Sequence, residues 1–157
     1  MTASSRPRPR RRPLGADNRR LLAEALPALA LASLAVKLAP FSRLAGWASR
    51  GRRAAAATPD EAFLRKARWS VEAWAKRVPW RTVCFQKGLA LHFLLRRRGV
   101  ASVLHYGVRQ EPAAGLKAHV WVTVGGRAVI GGEEAPGFAC LATFPPQEGG
   151  GSPREAG

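Results

Sequence analysis

Gly125-Gly126 interrupts a run of β-forming residues, and that pair constrains the chain more than any other feature. A two-residue hairpin loop needs positive φ at its centre, and glycine adopts it without steric cost. The loop therefore joins Ala118–Val124 to Arg127–Ile130 as antiparallel strands, and Ser102–Gly107, equally rich in β-formers, supplies another. Upstream of Gly99 the apolar spacing is helical instead. Helices first and strands last predict an α+β fold, N-terminal helices followed by a small antiparallel sheet. The 157 residues suffice for one core and not for two full domains.

Three helical segments are legible. The first, Arg19 to Ala39, repeats Leu22, Leu26, Leu29 and Ala30 on one stripe and stops at Pro40. Its uninterrupted apolar part, residues 25–36, falls short of the ~20 residues a membrane span needs, and Glu24 and Lys37 bracket it. A helix docked on a soluble core is the favoured reading, and a membrane-facing or exported segment is the alternative. The second, Pro59 to Val78, carries Phe63, Ala67, Val71 and Trp74 at helical spacing, with Thr58 or Asp60 as cap and Pro59 in the first turn. Arg65, Lys66, Arg68, Lys76 and Arg77 form its solvated face. The third runs from Arg81 to Arg98, with Thr82 as N-cap and Leu89, Phe93 and Leu94 inward. Arg96, Arg97 and Arg98 complement the negative end of the helix dipole, and Gly99 supplies the stop.

Charge bears on partners and not on fold. The formal net charge is +16, and Arg6, Arg8, Arg10, Arg11 and Arg12 cluster among Ser and Pro in residues 1–19. Such a segment buries nothing and reads as a disordered basic tail. No aromatic residue interleaves to stack on bases, so a solubilising tail is favoured over a nucleic-acid arm, and weak contact with an anionic membrane is the remaining role. Residues 20–146 then form the single domain, with 20–78 as its helical part, and 147–157 form a glycine-rich tail. The two cysteines, Cys84 and Cys140, make no disulfide framework, which points to a reducing compartment, the cytoplasm. Cys140 lies in a short apolar stretch closing the domain and reads as a buried structural thiol.

Cys84 falls in the first turn of the third helix. Unpaired amides and the helix dipole there stabilise a thiolate and can donate to an oxyanion. Position alone is met as well by a small buried cysteine. A cysteine nucleophile needs a base, and three histidines are available: His92, His105 and His119. His92 shares the helix and lies about 12 Å further along it, out of reach. His105 and His119 both remain, on strands. A metal site from Cys84, His119 and Cys140 is disfavoured, because no pair of them has local metal-ligand spacing.

The run Pro79-Trp80-Arg81-Thr82-Val83-Cys84, then Gly88-Leu89-Ala90-Leu91, Leu94 to Val100, Tyr106-Gly107-Val108 and Ala118-His119-Val120-Trp121-Val122 before Gly126-Arg127 resembles the transglutaminase-like leader peptidases of lasso-peptide biosynthesis. The likeness is specific over residues 79–131 and looser back to residue 20, where that family has an Ala/Leu helix leading to a Pro-Phe pair, here Pro40-Phe41. It implies a transglutaminase-like, papain-like cysteine protease fold, with Cys84 as nucleophile and His119 as base of a Cys-His-Asp triad. The family's Asp lies on the strand after His119, where this chain reads Ile130-Gly131-Gly132-Glu133-Glu134 and has no aspartate. A regular hairpin places Glu134 on the face of His119, a bulge at Gly131-Gly132 substitutes Glu133, and a triad without an acid is the third outcome.

The resemblance further implies removal of the leader from a precursor peptide, with the freed core passing to an ATP-dependent cyclase. Some relatives carry a fused β-rich leader-recognition domain, but residues 20–57 are helical in pattern, so recognition falls to a separate protein. No phosphate-cradling glycine loop is present, so no cofactor is expected and any ATP belongs to the cyclase. The rival reading is a catalytically inactive module of the same fold that binds nucleic acid or another anionic partner through its arginines.

Overall fold

A computed structural model describes residues 15–49, 59–113 and 115–147. The two expected tails, apart from Gly15 to Arg19 and Gln147, and Thr58 as a candidate cap lie outside the described residues. Helices α1 (Ala16–Leu38), α2 (Phe41–Ser49), α3 (Glu61–Ala75) and α4 (Cys84–Arg97) precede strands β1 (Ser102–Glu111), β2 (Gly115–Val124), β3 (Arg127–Ile130) and β4 (Ala139–Phe144). The sheet is antiparallel with order β3-β2-β1-β4. The chain is α+β, as its segregated periodicities require.

Local chemistry explains most boundaries. Asp60 caps α3 by accepting from the Ala62 amide at 3.1 Å, leaving Pro59 just outside the helix. Gly99 ends α4 with φ +74°, and Gly125 and Gly126 turn the hairpin with φ +55° and +79°. Arg98, beyond the last turn of α4, also pairs with Glu24 of α1 at 2.9 Å and lies over the Phe63 ring. Arg98 thus fastens three helices as well as answering a dipole.

The core forms where α4, with α3, meets one face of the sheet and α1 packs on both helices. Leu29, Val71, Leu89, Leu91 and Leu95 pack with Leu104, Val120 and Val122 in one cluster. Gly88 permits this closeness, because a Cβ there would stand 2.7 Å from Val120 Cγ1. His92, fully buried, donates through Nε2 to the Ala48 carbonyl at 2.9 Å and accepts at Nδ1 from Ser102 Oγ at 3.0 Å. Burial pushes its pKa down to about 4, so the ring joins α2, α4 and β1 as a neutral hydrogen-bonding group.

Four expectations need correction. On α1 the buried stripe is Leu21, Ala25, Leu29 and Ala32, whereas Leu22, Leu26 and Ala30 are only half-buried. The segment is apolar nearly all round, so spacing could not choose a side, and the small Ala25 and Ala32 let neighbours approach closest. The helix also starts earlier, at Ala16, and at 23 residues has the length and composition of a membrane-crossing helix. Thr82 does not cap α4, since its hydroxyl donates to the Ala75 carbonyl at 3.3 Å and α4 begins after Val83. Cys140 is exposed, because β4 is an edge strand whose first three residues carry no cover.

Candidate active site

The segment entering α4 is held from both sides. Trp80 Nε1 donates to Ser33 Oγ of α1 at 3.1 Å, and Thr82 is tied to the end of α3. Val83 then takes the N-cap position, and its amide donates to Gln86 Oε1 at 3.0 Å. Half of a capping box results, closed by a neutral amide where a glutamate is equally common. Cys84 follows as the first helical residue and is partly accessible. Its own N–H and that of Phe85 belong to the first turn, where the helix supplies no acceptor. The thiol thus sits at the positive end of α4 with no carboxylate in the cap.

Packing sets β2 along α4. Gly88 meets Val120 and Val122, and His92, one turn on, meets Ser102, the cross-strand partner of Val124. Helix and strand therefore advance in the same direction. Cys84, one turn or about 6 Å before Gly88, lies beyond Val120 toward the His119 position of β2, while pleat alternation turns the His119 ring, with Trp121, to the sheet face opposite Val120 and Val122. Among the described residues no hydrogen bond joins the thiol to the imidazole.

His119 is buried and sharply defined. Its ring stacks near Trp121 at 6.1 Å and tilts against Phe138 at 5.0 Å, and Arg109 lies over the Phe138 ring at 4.6 Å. Nε2 lies 2.8 Å from the Gly131 carbonyl oxygen, which can only accept. The proton of the neutral ring must then be on Nε2, which leaves the lone pair on Nδ1. Gly131 reaches this position with φ +72°, and a Cβ there would be 2.6 Å from the Val120 carbonyl oxygen and 3.2 Å from His119 Nε2. Only glycine fits.

The glutamates expected as the third member have other partners. Glu133 accepts from Arg68 of α3 at 2.8 Å, and its carboxyl is held below the ordinary range by its own backbone N–H first, then by Arg68, with a smaller pull from the His119 side. Glu134 is exposed, 4.0 Å from Lys117. The hairpin does contain an irregularity, but at Val129 and not at Gly131-Gly132: Thr123 pairs with Ala128 and Val122 with Ile130. The extra residue lets both Val129 and Ile130 bury, which a strict alternation forbids. No hydrogen bond joins either glutamate to the imidazole among the described residues, and a main-chain carbonyl holds that contact.

His105, the other strand histidine, shares the Trp121 ring and the sheet face with His119 but has other hydrogen-bond partners. Its Nε2 is 2.9 Å from Thr123 Oγ1, its ring stacks on Trp121 at 5.1 Å, and its Nδ1 is 3.9 Å from Cys140 Sγ. Burial lowers its pKa. The sequence reading missed Gln86, Gly131 and Arg68. Gln86 was findable, since a Gln three residues past a helix start is half of a capping pattern. Gly131 was not, because only the bulge at Val129 sets its carbonyl against the ring.

Among the described residues no group of three or more His, Cys, Asp or Glu side chains is placed to hold a metal ion. No curated protein and no solved structure matches the chain significantly. A family model described as the Transglutaminase-like superfamily matches residues 25–143, from the middle of α1 through most of β4, and with that extent covered the chain belongs to the transglutaminase-like superfamily.

Proposed function

We propose that this protein is a cysteine peptidase that cuts the leader from a lasso-peptide precursor. The superfamily consists chiefly of cysteine peptidases and transglutaminases, both of which pass through a thioester on a cysteine. The reading rests on the first-turn position of Cys84 and on the fixed orientation of His119: with Nε2 donating to Gly131, Nδ1 is the nitrogen left to take a thiol proton.

In this reaction the thiolate of Cys84 attacks the scissile carbonyl, and the Cys84 amide donates to the oxyanion that forms. The imidazolium of His119 gives its proton to the leaving amine, and the released fragment carries the free amino terminus of the core peptide. Water, deprotonated by Nδ1, then cleaves the thioester and releases the leader carboxylate. The Gly131 carbonyl holds the ring without sharing its charge. A separate leader-recognition protein and an ATP-dependent cyclase complete the proposed system, and this chain needs no cofactor of its own for the steps described.

Cleavage of a precursor peptide by the full chain, with its recognition partner supplied, tests the assignment. Cys84→Ala should abolish product while leaving the circular dichroism spectrum unchanged, and Cys140→Ser should retain activity. Processing at the normal rate by Cys84→Ala would refute the nucleophile.

A further inference from the structure

We propose that α1, α2 and α4 together form a docking face for an anionic lipid surface. Helix α1 is apolar on two sides. One side carries Leu21, Ala25, Leu29 and Ala32 into the core, and the opposite side exposes Leu31, Leu34 and Leu38 at 64%, 53% and 74%. These three recur at i, i+3 and i+7, a single ridge about 10 Å long. They line a groove of about 610 Å³ whose other wall includes Trp47 of α2 and Phe93 of α4. Isolated exposed leucines are ordinary on a protein surface, but a contiguous ridge with an adjoining tryptophan is not.

The surrounding charge identifies the occupant. Arg43 and Arg97 line the groove and Lys37 stands beside the ridge, all three exposed. The groove's one acid, Glu24, is already paired with Arg20 and Arg98. A second copy of the chain would set these cations against their own counterparts. An anionic headgroup layer complements them, while the leucine ridge enters the acyl boundary and Trp47 takes the interfacial level that tryptophan favours. Spanning the bilayer would strip Leu21, Ala25 and Leu29 from the core, so the helix lies on the surface with its inner face still packed on α3 and α4. The basic segment that precedes α1 in sequence adds salt-sensitive attraction of the same sign.

Sedimentation of the full chain with phosphatidylglycerol-containing vesicles tests this, with pure phosphatidylcholine vesicles as reference. Binding to the anionic vesicles is expected, and the pair Leu34→Asp and Leu38→Asp should weaken it about tenfold or more while leaving secondary structure unchanged. Arg43→Glu with Arg97→Glu, both at exposed positions, should weaken it too and guards against a misfolded leucine variant. Lys66→Glu with Lys76→Glu, the same charge change on α3 and its C-cap, should have much the smaller effect. Deleting residues 2–13 should remove the part of the affinity that vanishes at high salt and leave the rest. Four results would overturn the proposal: equal binding to neutral vesicles, binding lost with residues 2–13 yet indifferent to the leucines, equal loss from the α3 control, or lipid-free self-association abolished by the groove substitutions.

Discussion

Two cysteine–histidine pairs invite comparison in this chain, one in contact and one proposed, and they differ in the features that chemistry requires. Cys140 lies 3.9 Å from His105 Nδ1, on an exposed edge strand, with extended backbone around it. Cys84 makes no such contact, yet it occupies the first turn of a helix, and His119, the base proposed for it, is locked by a main-chain carbonyl. Proximity of sulfur to imidazole is therefore a poor guide. A nucleophile needs amides to receive the oxyanion and a base with a free nitrogen, and Cys84 supplies the first while His119, its Nε2 committed to Gly131, supplies the second.

The comparison breaks most cleanly at the histidines. On the proposed mechanism His119→Ala should lower cleavage by about 10²–10⁴-fold, the usual worth of a general base, while His105→Ala should change it no more than a few fold. Steady-state cleavage assays on the two variants read this directly. The reverse ranking would transfer the base to His105.

A smaller effect is expected at Gly131. Alanine there must keep a positive φ and push its Cβ away from the Val120 carbonyl, so the loop shifts and the carbonyl leaves His119 Nε2. The turnover number should fall about tenfold with KM nearly unchanged, because the ring loses its orientation while the peptide-binding surface is kept. If Gly131→Ala matches the wild-type turnover number, the carbonyl does not position the base.

What the sequence disclosed, it disclosed where structure is local. The Gly125-Gly126 turn, the span of β3 and the Gly99 stop are each decided by a glycine φ and its immediate neighbours, and all three stand where expected. The first-turn position of Cys84 was equally local. Features set by tertiary contact were not legible. The inner side of α1 was chosen by small residues meeting α3 and α4, and Cys140 was exposed by the order of strands. The bulge at Val129 follows from the advantage of burying two successive apolar residues, and it placed a glycine carbonyl where an acidic side chain had been sought. A pattern of residue types cannot announce a main-chain partner.

Selective alkylation tests the central claim most directly, and it sets exposure against activation. Cys140 is the more exposed of the two thiols, so accessibility alone favours its modification. If Cys84 is the nucleophile and His119 its base, limiting iodoacetamide at neutral pH should modify Cys84 first, as read by peptide mass spectrometry, and His119→Ala should slow that modification by about tenfold while Cys140 reacts as before. Preferential labelling of Cys140, or labelling of Cys84 indifferent to His119, would contradict the account.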